Sequence, residues 1–426
     1  NKPMTNFVQK VRLLLEDRVM KKRILFAFFI LLLFRILAVI PIPGIDPQRI
    51  AEFFAQNQFL GLINVFTGGG LSSLSIVMLG IGPYITGSII MQLLTIIFPK
   101  LKAMYQEDGD IGRKKFAQYS RMLTVPLAIL QSFAFLTLLS RQGVLGTLST
   151  TQLAINIVVV TGGSVLLMWL GELISEYGVG NGVSLIIFAG IIAALPQNIA
   201  QLLVSFQPSY IPVYLAFLVA SILIILGVVI VTEAERPIPV TYAKRIRGNK
   251  VFGGLSTYLP IRINQAGVIP IIFALSILLF PQMIFNFFKT SSNSLIQGIA
   301  ETGTTILANQ WVYGISYFVL IFLFTYFYTA VTFDPDQMSN NLQKNGAFIP
   351  GVRPGPSTSE YLGKIITRLT LVGAVFLGLI AVLPLVMQAL TGIQALAIGG
   401  TALLIVVSVV LDLVKKLDAQ VTAREY

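Results

Sequence analysis

Phe59-Leu60-Gly61-Leu62-Ile63-Asn64-Val65-Phe66-Thr67-Gly68-Gly69-Gly70-Leu71-Ser72-Ser73 lies inside an uncharged run of 47 residues, 53–99. Whether that run crosses a membrane once or twice decides the topology of the whole chain. That a membrane is involved follows from composition: of 426 residues, 55% are hydrophobic and 11% charged, with mean hydropathy +0.82. A soluble globular chain carries roughly 25% charged residues. The other uncharged runs are 122–140, 142–171, 177–232, 263–288, 302–333 and 369–411, and a shorter apolar span, 24–40, is interrupted by Arg35. A hydrocarbon core of about 30 Å needs about 20 helical residues. Runs 177–232 and 369–411 therefore hold two spans each, broken near Leu195-Pro196, Pro208 and Pro212, and near Thr391-Gly392.

Charge decides the parity of the run 53–99. Basic residues accumulate on the cytoplasmic side of membrane proteins. With a single crossing there are ten spans and both termini are cytoplasmic. Of the 30 Lys and Arg, 26 then lie inside, in 1–23, 100–121, 236–262, 344–368 and 415–424. Arg49, Arg141 and Lys289 lie outside and Arg35 within a span. Two crossings would put 9 inside and 20 outside. The run crosses once, and about 20 apolar residues, 55–75, must be housed without spanning. Three consecutive glycines disfavour a continuous helix by about 1 kcal/mol each. Irregular backbone at membrane depth survives only when protein or a water-filled cavity surrounds it. The expectation is a re-entrant element tucked into the bundle from the outer side. An apolar loop lying on the outer surface is the other reading that composition leaves open.

Ten spans divide as five and five, and an odd number per half inverts the second half. Inverted repeats place a functional site at their interface near the midplane. The expected fold class is therefore all-α and integral to the membrane, with ten transmembrane helices in two inverted halves around a centre. The segments are a cytoplasmic N-terminus (1–23), half one (24–200), half two (201–414) and a cytoplasmic tail (415–426). Within 1–23, Phe7, Val11, Leu14 and Leu15 suggest an amphipathic surface helix, with a frayed basic tail as the alternative, and no cleavable signal peptide is expected. The long cytoplasmic loops are 233–262 and 334–364. The first carries Tyr242-Ala243-Lys244-Arg245-Ile246-Arg247-Gly248-Asn249-Lys250-Val251-Phe252, read as a basic hairpin with a Gly-Asn turn. The second carries Gly346-Ala347-Phe348-Ile349-Pro350-Gly351-Val352-Arg353-Pro354-Gly355-Pro356, a rigid exposed loop with an arginine at its tip. Such loops set topology, and beyond that suit docking of a large cytosolic partner or of ribosomal RNA.

Several chemistries are excluded. There is no Cys and no His, so disulfides, thiol nucleophiles, His-ligated haem, His-based zinc and a Ser-His-Asp triad are ruled out, and neither a metal nor a cofactor is expected. Ion-coupled transport needs an ionisable group inside the bundle. Only Arg35 sits well within a span, while Glu172, Glu176 and Asp412 mark cytoplasmic span ends. Arg35 near an outer span end snorkels or bonds backbone carbonyls in one reading and serves function in the other. What remains is a bundle around an apolar constriction.

The ordered motifs resemble the SecY protein-conducting channel family of bacterial type, over nearly the whole chain. They run from Pro41-Ile42-Pro43-Gly44 through Leu79-Gly80-Ile81-Gly82-Pro83-Tyr84-Ile85, Gln118-Tyr119-Ser120-Arg121, Met168-Trp169-Leu170-Gly171-Glu172 and Gly178-Val179-Gly180-Asn181-Gly182-Val183-Ser184. They continue in Ala266-Gly267-Val268-Ile269-Pro270 and Gly351-Val352-Arg353-Pro354-Gly355, and end at Gly399-Gly400-Thr401-Ala402-Leu403-Leu404-Ile405.

The resemblance implies a central pore between spans 1–5 and 6–10. Its ring of aliphatic side chains would be Ile81, Ile85, Val183, Ile187, Ile272 and Ile405. Its outer plug would contain Phe59, Leu62, Ile63, Val65, Phe66, Gly68, Gly69, Gly70 and Leu71. A lateral gate with the polar pair Gln92 and Asn264 would let signal sequences and nascent transmembrane helices of secretory polypeptides pass sideways into membrane lipids. A bond between the two amides would set closed-gate stability, so that Asn264→Leu would shift opening and relax signal stringency. Docking of the SecA motor ATPase and of the ribosome would fall on Lys244, Arg245, Arg247 and Arg353. The family pairs with SecE and usually SecG, in the bacterial cytoplasmic membrane. It implies translocation without covalent catalysis. One departure is that Thr232-Glu233-Ala234-Glu235-Arg236-Pro237-Ile238-Pro239 is less basic than the family's usual stretch after span six. A secondary solute transporter and a pore-less insertase are the rival readings.

Overall fold

The computed structural model describes residues 17–43, 70–71, 73–141, 145, 149–204, 208, 211–242, 245–247, 250–252, 256–267, 269–288, 293–391, 402–403 and 405–417. Helix α1 (Arg18–Leu37) begins where the Asp17 side chain accepts the Val19 N–H at 2.8 Å, an N-cap that satisfies one orphan donor of the first turn. After α1 the chain turns and runs extended, and Pro41 bridges to Ser75. Residues 73–81 are non-helical. The Ile76 N–H donates to the Ile40 carbonyl at 2.9 Å, the Ile42 N–H to Leu74 at 3.0 Å, and the Ser73 hydroxyl to the Ala38 carbonyl at 2.7 Å. Leu71, Leu74, Val77 and Met78 are fully buried. This is irregular backbone held within protein, as membrane depth requires. The Gly70 and Leu71 end of the expected plug is part of it. Phe59, Leu62, Ile63, Val65, Phe66, Gly68 and Gly69 lie outside the described residues.

Helix α2 (Gly82–Ile97) has Pro83 in its first turn and stops at Phe98. There the chain bends by 114° into α3 (Pro99–Gln106). Proline at the start of a helix is tolerated, but the residue before it is pushed out of the α region, and Phe98 is extended. Short α3 does not return across the membrane. The Gln106 amide donates to the Val331 carbonyl at 3.1 Å and the Gln337 amide to the Gln106 carbonyl at 3.3 Å. Both ties hold α3 at the cytoplasmic end of the second half, which agrees with a single crossing of the 53–99 run.

The remaining helices are α4 (Gly109–Arg141), α5 (Thr150–Tyr177), α6 (Gly182–Val204), α7 (Ile211–Glu233), α8 (Ile269–Phe288), α9 (Ser294–Ala308), α10 (Gln310–Thr332), α11 (Pro335–Lys344) and α12 (Pro356–Thr391). A last helix occupies 405–417. Helix α5 starts on a capping box of Ser149 and Gln152. The uncharged run 302–333 is not one helix: Asn309 is extended, and its side chain caps α10 by accepting the Trp311 N–H at 3.0 Å. Among the described residues, the expected crossings fall on α1, α2, α4, α5 and α6 in the first half and on α7, α8, α10, α12 and 405–417 in the second. Helix α7 shows its outward character plainly, with Leu215, Leu218, Leu223, Leu226 and Ile230 exposed to what in place is lipid.

On the cytoplasmic side the fold adds a small sheet. Strand β1 (Glu235–Tyr242) pairs antiparallel with β4 (Ser256–Arg262), Ile238 opposite Leu259. Between them β2 (Arg245–Arg247) and β3 (Lys250–Phe252) form the basic hairpin expected from sequence, Ile246 opposite Val251. Strand β5 (Ala347–Phe348), from the other long loop, joins the free edge of β1. The two loops therefore form one unit with its own core: Ile238, Val240 and Ile261 pack with Ile349, Leu362 and Ile365. The less basic stretch after α7 is internally engaged. Glu233 pairs with Lys415 at 2.9 Å and Glu235 with Arg262 at 3.4 Å, while Ile238 and Val240 face inward.

Candidate functional site

Gly180, Asn181 and Gly182 build the turn from α5 into α6, each for a stereochemical reason. Gly180 adopts φ +86°, a conformation that an L side chain resists. Asn181 accepts the N–H groups of Val183 (3.0 Å) and Ser184 (3.3 Å), capping α6. Gly182 passes so close to α5 that a β-carbon would sit 1.8 Å from the Gly171 carbonyl oxygen. The Ser175 hydroxyl accepts the Gly182 N–H at 2.9 Å and donates to that same carbonyl at 3.0 Å. This turn points Val183 and Ile187 of α6 at the axis of the bundle. At the other side Gly80 (φ +57°) and Pro83 start α2 so that Ile81 and Ile85 face the same region.

Those side chains converge. Ile81, Ile85, Ile187, Ile272 and Ile405 belong to one buried cluster, and half-buried Val183 packs against it. The contributors come from α2 and α6 of one half, and from α8 and the last helix of the other. Above the cluster, on the cytoplasmic side, opens a cavity of about 750 Å³. Its floor includes Ile85, Val183 and Ile272, and its walls carry Gln92, Ser184 and Tyr328. Its rim carries Arg121, Glu172 and Glu176, and Arg121 is ion-paired to Glu172. A cavity with charged side chains in its lining thus adjoins the apolar cluster. Its packing is dispersion, weak per atom pair and indifferent to the sequence it touches.

Helix α8 packs on α2 and α4. The expected amide pair, Gln92 and Asn264, do not bond to each other. The Gln92 amide donates to Ser88 Oγ at 3.3 Å, and the Asn264 amide to the Gly267 carbonyl at 3.3 Å. Gln92 Oε1 and Asn264 Oδ1 are buried without partners, as are both polar atoms of Gln265. Sequence reasoning passed over Gln265, whose only signal was an amide beside Asn264. A buried unpaired acceptor costs about 1–3 kcal/mol, and opening would relieve it. Among the described residues no bond joins the two amides, and replacing Asn264 by an apolar side chain removes an unpaired buried acceptor from this arrangement. Asn264→Leu should favour the closed gate and lower export of weakly hydrophobic signal sequences by several-fold, with strong signals little affected. Relaxed export of defective signals in that variant would contradict this account.

The docking residues are placed in part. Arg245 and Arg247 lie on β2, and Lys244 is outside the described residues. Arg353 is exposed at the tip of a braced loop. Gly351 and Gly355 take φ +83° and +103°. Thr358 Oγ1 donates to the Arg353 carbonyl at 2.8 Å, and Ser339 Oγ to that of Gly355 at 2.7 Å.

Comparison with known proteins agrees with this geometry. The SecY family pattern matches residues 75–414. The protein translocase subunit SecY of Mycobacterium tuberculosis (strain ATCC 25618 / H37Rv) is 41% identical over 428 residues, 96% of each chain. Two solved structures share the fold. One is described by the finding that the plug domain of the SecY protein stabilizes the closed state of the translocation channel and maintains a membrane seal. It has TM-score 0.66 and 22% identity over 94% of this chain and 92% of that one. The other is Sec61 in the canine ribosome-channel complex from the endoplasmic reticulum, with TM-score 0.61 and 20% identity over 94% and 93%. With the family pattern matching residues 75–414 and 41% identity over 96% of each chain, the chain belongs to the SecY family.

Proposed function

We propose that this chain is the channel through which unfolded secretory polypeptides cross the bacterial cytoplasmic membrane and from which transmembrane helices leave sideways into lipid. What supports this reading is that Ile81, Ile85, Ile187, Ile272 and Ile405, from both halves, share one buried apolar cluster, and that Ile85 and Ile272 also line the vestibule. A ring of apolar side chains closes around any passing chain and makes no selective bonds, so it resists ion leakage while tolerating every sequence. The chain itself performs no covalent reaction. Work comes from the SecA ATPase or from ribosomal synthesis, both docking on Lys244, Arg245, Arg247 and Arg353, and SecE and SecG complete the membrane complex. Segments 24–200 and 201–414 act as two half-shells hinged around the ring, with 1–23 and 415–426 cytoplasmic.

The segment 55–75 acts as the outer plug, to which Phe59, Leu62, Ile63, Val65, Phe66, Gly68 and Gly69 belong. The buried Leu71 and Leu74 are its anchor. Deleting 59–69 while keeping Gly70 and Leu71 tests this. Single-channel recording in planar bilayers should show ion currents that the unaltered protein lacks. A silent deletion would argue for a pore-less insertase.

A further inference from the structure

On the outward side of the second half, α10 and α12 enclose a groove of about 550 Å³. Its origin is local. Gly314 of α10 leaves the floor bare, with the nearest atom to a hypothetical β-carbon, Val382 Cγ1, 3.6 Å away. Pro384 within α12 removes an N–H from the helix ladder and bends the helix there. The Gln310 amide donates to the Leu385 carbonyl at 3.0 Å. The one side-chain amide in the lining is thereby engaged, and apart from the indole of Trp311 the other lining side chains are hydrocarbon.

We infer that this groove is a seat for one acyl chain of an outer-leaflet phospholipid. Three observations select that occupant. The groove is continuous with the lipid-facing surface, since Ile315, Leu379 and Leu383, which line it, are also exposed. Its depth matches one leaflet. The lining runs from Gln310 to Phe318 on α10 and from Leu379 to Ala389 on α12, roughly 12 and 15 Å at 1.5 Å per residue. Half a hydrocarbon core is roughly 15 Å. Finally, exposed Trp311 stands at its outer mouth, the level at which indole rings sit among headgroups.

The test uses the complete membrane complex in vesicles of phosphatidylethanolamine and phosphatidylglycerol, doped with a phosphatidylcholine carrying a mid-chain diazirine. After photolysis, adducts are mapped by peptide mass spectrometry. Peptides covering 310–318 and 379–389 should be labelled at least about threefold more than the lipid-facing α7 peptide 211–233. Gly314→Phe, which fills the floor, should bring that excess down to the α7 level, and Gly314→Ala should keep it. Leu383→Trp obstructs the groove from its exposed rim and should reproduce the loss if Gly314→Phe does not fold. Equal labelling of the groove and α7 in the unaltered protein would mean ordinary boundary lipid and overturn the inference. So would an excess that survives obstruction, or a co-purifying partner helix cross-linked in place of lipid. None of these readouts depends on export, so the channel assignment stands or falls separately.

Discussion

Arg353→Glu should abolish SecA-driven export while leaving the channel folded. Its loop is held from within the chain. Gly351 and Gly355 occupy positive φ, Ser339 bonds the Gly355 carbonyl and Thr358 the Arg353 carbonyl. Beneath, Ile349 and Leu362 share the core of the cytoplasmic sheet. None of these supports uses the guanidinium, which is exposed and bonded to no side chain among the described residues. Reversing its charge therefore has little to disturb in the fold. At an interface, truncating a hydrogen-bonded charge costs about 2–5 kcal/mol, roughly 30-fold or more in affinity, and a reversal adds repulsion. The measurements are ATP-dependent translocation into inverted vesicles and a melting curve of the purified complex. A normal translocation rate with an unchanged melt would remove Arg353 from the docking surface. Arg353→Lys should recover only part, because an ammonium lacks the planar fork of donors.

Gly182→Ala should be among the most damaging single-methyl additions in the chain. The added carbon would lie 1.8 Å from the Gly171 carbonyl oxygen and 2.8 Å from the Ile174 β-carbon. The obstruction is backbone and the root of a side chain, neither of which swings aside. Relief requires α6 to separate from α5, which breaks both Ser175 hydrogen bonds and withdraws Val183 and Ile187 from the ring. Losses above about 4 kcal/mol are rare for one substitution and follow from such mechanisms, so little folded protein should accumulate. Gly171→Ala is the control on the opposite side of the same contact. There the added carbon meets Val183 Cγ2 at 3.5 Å, ordinary contact, and stability should stay within about 1 kcal/mol. Thermal unfolding followed by size-exclusion fluorescence reads both. Equal stability of the two variants would show that the turn relaxes freely.

The same positions show how far local pattern reaches. Gly351-Val352-Arg353-Pro354-Gly355 announced a rigid exposed loop, because proline and glycine restrict backbone geometry by themselves. Lys250, Val251 and Phe252 opposite Arg245, Ile246 and Arg247 were legible as a hairpin for a similar reason. The close approach at Gly182, in contrast, depends on where α5 lies. So does the one at Gly163, where a β-carbon would meet the Ile76 carbonyl at 2.0 Å. The pairing of β1 with β5 joins residues about a hundred apart in sequence, and nothing in either loop alone signals it.

The crossings and their direction were determined by sequence alone, because solvation in hydrocarbon acts on every segment separately and charge asymmetry is a sum over loops. Which apolar face turns inward was decided only by the tertiary structure. Leu226 of α7 and Ile272 of α8 are equally hydrophobic, yet one is exposed and the other is buried in the ring. In a bilayer both lipid and core are apolar, so hydropathy cannot separate them. Only packing between helices, set in part by close-approach glycines, decides which of these residues share the buried cluster and which line the outer groove.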